Sequence, residues 1–441
     1  MPPTALRLAV FASACLALAG AAVRPRYGGV LRVALQEWTD SLDPSTADAN
    51  QAFERIAPLV FERLTTIDLN GNVRPQLAES WTSDPGYRRW RFTLRRRVTF
   101  HDGTPLNASV AAAALHRWAA AAVSDFELEI RVPRADPLLP QELASAADSI
   151  SRRQGTQWVG TGPFRVITWE PSRRAVLTAF ENHRNGRPFL DSIEIEMGRP
   201  RRQQANDFAL GRLDVVEQPP GVRIAGAAPL PSSPVELFAI VFEGRSSIDA
   251  RTREALSLAI DRDSIYQALL DRQGAPAYSL LPEWISGFAH LFARPRDLAL
   301  ARERLGPMNR PAFTLAYDPI DLLAKAIAER VSVNARDVNL LVRPPAPGMP
   351  GDARLVRVRL TSIRPTQSLV DLAAALRVEV PAATAPEAER QILDSYRVIP
   401  LVHAVETAVI HSRVHGFVVT PWGQWILENA WLEAPPSKEP R

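Results

Sequence analysis

Residues 312–343 read AFTLAYDPIDLLAKAIAERVSVNARDVNLLVR, and this stretch decides the fold class. Phe313 to Tyr317 is extended and Asp318-Pro319 turns the chain. Leu322, Leu323, Ala326, Ile327 and Val331 then recur at helical spacing on one face, and Val338 to Val342 is extended again. A strand–helix–strand unit implies a parallel strand pair joined by a right-handed crossover. Mixed strands and helices on both sides of it give an α/β fold, not a pure sandwich or bundle.

Working outward, Gly28 to Leu35 (GGVLRVAL) reads as a first strand opened by a glycine turn, with Gln36 to Pro44 as the loop after it. Asn50 to Leu64 is helical, with Phe53, Ile56, Ala57 and Val60 on one face. Trp90 to Phe100 alternates: Trp90, Phe92, Leu94, Val98 and Phe100 share one face, while Arg91, Thr93, Arg95, Arg97 and Thr99 share the other. That arginine stripe reads either as a phosphate-binding face or as a solvated sheet face. His101 to Pro105 turns, and Asn107 caps an Ala-rich helix through Trp118. Gly160 to Pro163 breaks the chain before a strand at Phe164 to Trp169. Asp249 caps one helix, and Asp261-Arg262-Asp263 starts a second that runs through Leu270.

The chain has 441 residues, 46% hydrophobic and 23% charged, which is enough for two to three domains and a sizeable core. It contains 38 prolines and 22 glycines, a balance that favours ordered turns over flexible linkers. Lys325 and Lys438 are the only lysines, and the net charge of +4 is too small and too dispersed to argue for a nucleic-acid partner. Arg7 followed by the apolar run Leu8 to Leu18, with small-x-small sites at Ala17 to Ala21, reads as an export signal over residues 1–21. The mature chain is therefore expected to be soluble, and periplasmic or otherwise extracytoplasmic. Cys15 is the only cysteine; it is either removed with the signal or is a lipid-attachment site that anchors the chain to a membrane.

Signatures of catalysis are missing: there is no G-x-S-x-G elbow, no Walker A loop and no G-x-G-x-x-G. His411 and His415 have a metal-ligand spacing only if they lie on a helix, and the branched, Gly-ended stretch around them argues against one. No catalytic residue, metal or cofactor is expected. Trp38, Trp118, Trp284 and Trp422 fall near element ends, where ring faces can line a cleft. Glu37 and Trp38 follow the first strand, in the kind of loop where α/β folds bind ligands, whereas Asp43 before Pro44 reads as a turn residue.

The order of segments resembles the family 5 extracellular solute-binding proteins, the peptide- and nickel-type receptors of ABC importers. The resemblance is carried by GGVLRVAL with SLDP, by Leu77 to Trp81 (LAESW) and by Phe92 to Arg95 with Val98 to Pro105 (FTLR, VTFHDGTP). It extends through Val159 to Phe164 (VGTGPF), Arg253 to Asp263 (REALSLAIDRD), Val398 to Leu401 and Val414 to Pro421 (VHGFVVTP), the last similar to dipeptide-binding members. Arg96-Arg97 and Glu243-Gly244 depart from the family's pattern. Little room is left between Trp118 and Gly160 for an extra subdomain, and the 351–391 stretch is compressed, so no peptide-pairing aspartate is carried over.

The resemblance implies a two-lobed periplasmic-binding-protein type II fold with mixed sheets and a hinge. Lobe I would comprise 22–234 plus 415–441, and lobe II 235–414. A small solute or short peptide would be engulfed between them by a monomer and passed to ABC permease subunits. Two alternatives remain: a sensor or envelope module of the same fold that does not import, and an extracytoplasmic hydrolase. Glu37, Trp38 and, from the other lobe, Trp284 are the expected ligand contacts.

Overall fold

The computed structural model describes residues 24–433 apart from 47–50, 219–223, 225–226, 244–246, 307–310, 347–348 and 361. The expected export signal and Cys15 lie outside the described residues.

Eleven strands among the described residues form one mixed sheet: β1 Val30–Ala34, β2 Phe164–Glu170, β3 Arg174–Ala179, β4 Ser192–Glu196, β5 Val215–Gln218, β6 Ala228–Phe242, β7 Gly274–Pro276, β8 Ala312–Ala316, β9 Leu341–Arg343, β10 Ala353–Arg359 and β11 Val398–Ile410. Their spatial order is β2-β3-β4-β1-β5-β11-β6-β10-β8-β9, with β7 on β11. β8 and β9 are parallel, as the 312–343 pattern predicts. The helix between them spans Leu322–Arg336 and is capped by Asp321, whose side chain accepts from Leu323 and Ala324 N–H. Its buried stripe is Leu323, Ala324, Ile327, Ala328, Val331 and Ala335, so Leu322, expected on that face, is instead 69% exposed. The i, i+4 row starting at Leu323 sets the stripe and turns Leu322 about 100° away from it.

β6 and β11 are the two long strands, antiparallel over most of their length. Along β6 the side chains alternate between two cores. Phe238, Ile240 and Phe242 join the core that includes the helices Ala250–Ala259 and Leu322–Arg336. Leu237, Ala239 and Val241 join the one that includes the helices Pro365–Leu376 and Ala385–Asp394. At the other end of the sheet, β1, β3, β4 and β5 share a core with the helix Gln51–Val60, which buries Phe53, Ile56, Ala57 and Val60 as its spacing predicts.

A second, four-stranded antiparallel sheet runs Ala78–Ser83, Arg89–Leu94, Glu127–Arg131 and Ala119–Ser124 in spatial order, over its own core of Leu64, Trp90, Phe92, Phe100, Leu128 and Ile130 among others. The 119–131 hairpin thus completes a compact unit with the strands Ala78–Ser83 and Arg89–Leu94. It also shortens the Ala-rich helix, which spans Ala108–Ala114 and stops before Trp118. Ala119 to Ala122 are good helix formers, yet they pair with residues 128–131 as an edge strand; cross-strand pairing overrides weak local propensity. On the second sheet's polar face Arg91 pairs with Glu129 at 3.2 Å and Arg95 donates to the Gln76 carbonyl at 2.6 Å. Those guanidinium groups are engaged by the sheet itself.

The two glycine-bearing motifs meet. His101 Nε2 lies 3.0 Å from the Gly162 carbonyl and the Gly160 N–H donates to His101 Nδ1 at 3.4 Å. A Cβ at Gly162 would stand 2.6 Å from the Val60 carbonyl carbon, so this loop can press onto the end of the helix only without a side chain.

Candidate functional site

The site forms where β6 and β11 cross between the two core-bearing halves. Their pairing register shifts between Pro231 and Pro234 and again between Pro234 and Glu236. Proline removes ladder donors, so this stretch of β6 bends away from regular pairing. Opposite it on β11, the backbone N–H of Glu406 donates to Ser232 Oγ at 3.0 Å. The Glu406 carboxylate is the centre of a buried charge cluster. Arg55, from the helix Gln51–Val60, donates to its Oε2 at 2.9 Å, and Arg359, at the end of β10, donates to its Oε1 at 2.6 Å. Arg55 also lies 3.7 Å from Glu217 of β5. Burial alone would raise the Glu406 carboxyl, but Arg359 and Arg55 outweigh it and leave the pKa lowered. Gly423, at φ +82°, lets the 420–424 turn close on this cluster; a Cβ there would lie 2.5 Å from Glu406 Oε2.

Above the cluster opens a cleft of about 470 Å³, a size that suits a small organic ligand. One wall comes from Glu54, Ile67, Asp68, Gly71, Arg117, Gln141, Glu142 and Ala144 to Asp148. The opposite wall comes from Trp284, Arg359, Ser362 to Arg364, Gln367 and Asp371, and Thr420 to Trp422 with Gln424 contribute the floor. Arg359 Nη2 donates to the Trp422 carbonyl at 3.1 Å. Trp284 meets the Trp422 ring edge-on at 5.6 Å and donates its indole N–H to the Pro234 carbonyl at 2.8 Å. Arg364 spans the cleft to bond Glu142 on the facing wall and also bonds Asp136, which does not itself line the cleft. Burial pushes the Glu142 carboxyl up despite the Arg364 charge beside it.

The three residues singled out by sequence do not come together. Trp284 lines the cleft, with 39% of its surface exposed. Glu37 and Trp38 are not among the cleft-lining residues. The Glu37 carboxylate accepts the Gln51 backbone N–H at 3.1 Å, at the start of the helix that carries Glu54 and Arg55. Trp38 is 55% exposed and lies over Gly198. Of the other tryptophans at element ends, Trp422 lines the cleft and Trp118 holds the wall residue Asp148 through its indole N–H at 2.8 Å. The compressed 351–391 stretch does send an aspartate to the cleft, Asp371 on the helix Pro365–Leu376. Arg359, Arg364, Glu142 and Asp148 carried no sequence signal, being single polar residues without period or motif.

The histidine pair is not on a helix: His411 follows β11, and His415 stacks on Trp431 at 4.3 Å from a two-residue strand. Among the described residues no group of three or more His, Cys, Asp or Glu side chains is placed to hold a metal ion. Asp43 accepts the Ser45 N–H at 2.8 Å, as a turn residue does. No helix among the described residues is long and apolar enough to cross a membrane.

Residues 72–309 match the family model described as bacterial extracellular solute-binding proteins, family 5 middle. Protein XP55 of Streptomyces lividans is 25% identical over 332 residues, which cover 64% of this chain and 61% of that protein. The nickel-binding periplasmic protein of Escherichia coli is 26% identical over 67% of each chain. The chain thus spans less than two thirds of the length of XP55. The crystal structure of the ABC transporter substrate-binding protein CtaP of Listeria monocytogenes superposes with a TM-score of 0.77, covering 92% of this chain and all of that one at 17% identity. The large mixed sheet and its helices are thus the mixed α/β fold of type II periplasmic binding proteins.

Proposed function

We propose that this chain, which belongs to the bacterial extracellular solute-binding proteins of family 5, captures a small solute in the cleft and presents it to an ABC permease. The observation that carries the reading is the cleft itself. Its walls come from residues 54–148 on one side and 284–371 on the other, and β6 and β11 run between the two halves beneath it. Such a cavity is complete only when both walls are close, so a solute touching both favours the closed state.

In this reading lobe I is 22–234 with 415–441, lobe II is 235–414, and the 231–236 stretch of β6 is part of the hinge. The chain acts outside the cytoplasm as a monomer and as a receptor rather than an enzyme. The solute is peptide-like or another small polar molecule. Trp284 and Trp422 supply its apolar contact and Arg359 stands beside them. Glu37 acts from behind the wall, by fixing the start of the helix that bears Glu54.

A thermal-shift screen with peptides, amino acids, sugars and nickel tests this. A solute present at 100 times its dissociation constant stabilises the fold by ~2.7 kcal/mol. Binding should also change tryptophan fluorescence, and Trp284→Ala should weaken it. No shift with any class of solute would refute the reading.

A further inference from the structure

We propose that the cleft selects a solute bearing an organic cation, an amine or a guanidinium, and that Asp148 is the carboxylate that receives it. This rests on the solute-binding reading above and adds the chemical class of the ligand.

Among the described residues that line the cleft, five carboxylates face three guanidinium groups. Two of the three are committed: Arg359 to the buried Glu406, and Arg364 to Asp136 and Glu142. Excess negative charge alone does not make a site. Asp148 supplies the independent observation. It is only 2% exposed, at the end of the short turn Ala146–Asp148. Its Oδ1 accepts the Trp118 indole N–H at 2.8 Å, which fixes the carboxylate plane. Its Oδ2 is buried in the cleft wall with no hydrogen-bond partner among the described residues. The nearest cation, Arg117 Nη1, stands at 3.6 Å on a half-exposed side chain, too far for a hydrogen bond.

Leaving a buried carboxylate oxygen without a donor is costly, and a ligand N–H that fills it recovers that cost. Burial pushes the Asp148 carboxyl up, outweighing the opposing pull of Arg117, the Trp118 N–H, His116 and Arg63. The same wall already holds one guanidinium of this chain, that of Arg364, between Asp136 and Glu142. A bare divalent ion is the poorer match, because the described residues hold no cluster of three ligating side chains.

The test titrates the full mature chain by calorimetry and thermal shift with L-argininamide and spermidine. The comparison probes are citrullinamide, which keeps the shape of argininamide but carries a neutral urea, maltose, glutamate and nickel chloride. The expected result is binding of a cationic probe, at least 10-fold weaker binding of its neutral counterpart, and at least a 10-fold loss in Asp148→Asn with its ligand-free melting temperature retained. The parent-protein comparison of argininamide with citrullinamide stands even if that variant does not fold. Equal binding of a cation by parent and a folded Asp148→Asn would overturn the assignment of Asp148. Binding of a neutral, acidic or nickel probe with the organic cations inert would overturn the inference and leave the receptor reading intact. Silence from every probe would overturn both.

Discussion

Substituting Glu406→Gln should remove the charge that ties the two walls of the cleft to the crossing strand. Glu406 has only 4% of its side chain exposed and accepts from Arg55 on one side and Arg359 on the other. Deleting one partner of a buried ion pair typically costs ~3–5 kcal/mol, because the remaining charge stays buried without compensation. Here the two arginines are not left equally stranded. Arg55 keeps Glu217 at 3.7 Å, and Arg359 keeps the Trp422 carbonyl at 3.1 Å and is 16% exposed. The glutamine amide oxygen also still accepts from one of them, so the expected loss is at the lower end, about 3 kcal/mol. Urea unfolding at neutral pH measures it as a lower midpoint at unchanged slope. A second variant checks the cause. Glu406→Leu combined with Arg359→Met removes one charge of each sign and leaves Arg55 with Glu217. This pair should recover part of the loss, with a coupling of roughly 1–3 kcal/mol. A loss below about 1 kcal/mol for Glu406→Gln, or strict additivity in the double variant, would show that the cluster is not a mutually dependent unit.

Gly162→Ala should cost about 1–3 kcal/mol through overpacking, because its Cβ would meet the Val60 carbonyl carbon at 2.6 Å; a melting temperature equal to that of the parent would show that the loop can move away. Glu389 predicts a pH dependence. It is fully buried, its Oε1 accepts the Leu280 and Leu281 N–H groups, and burial pushes its carboxyl up to about 7 from the usual 4.5. The folded state therefore holds a proton that the unfolded state has released, and this contribution, about 3 kcal/mol, is present below pH ~4.5 and is lost as pH rises toward 7. Glu389→Gln keeps the acceptor and removes the titration, so its melting temperature relative to the parent should climb between pH 5 and pH 8; a constant difference would contradict the shift.

What the sequence revealed and what it withheld separate along one physical line. Residues whose neighbours recur at 2 or 3.6 positions announce themselves, because one buried face imposes the period. The helix Leu322–Arg336 and the face Trp90, Phe92, Leu94 were readable for that reason, and Leu322 misled only because one residue at a helix start does not define the stripe. Turn and cap chemistry was equally local: Asn107, Asp249 and Asp261 each accept the backbone N–H three residues on. The V-x-F-H-D-G and V-G-T-G-P-F motifs were recognisable as strings, but their reason was not. His101 and Gly162 are 61 positions apart and are joined only by the folded chain.

The cleft is the extreme of this. Arg364 reaches partners 222 and 228 positions away, and Arg55 finds Glu406 at a separation of 351. On the helix Gln51–Val60 the apolar pattern alone gives Arg55 no reason to be inside, yet it is 4% exposed because Glu406 and Glu217 wait for it there. Trp284, singled out near an element end, does line the cleft, whereas Asp148 gave no sign, because an aspartate ending a turn is ordinary. What makes Asp148 unusual is an oxygen without a donor, a property of everything around it. The residues that line the cleft are thus set by convergence between distant segments. The residues that build the cores are set by local period, which is why the sequence could point to the family and its mixed α/β fold while saying little about the cleft.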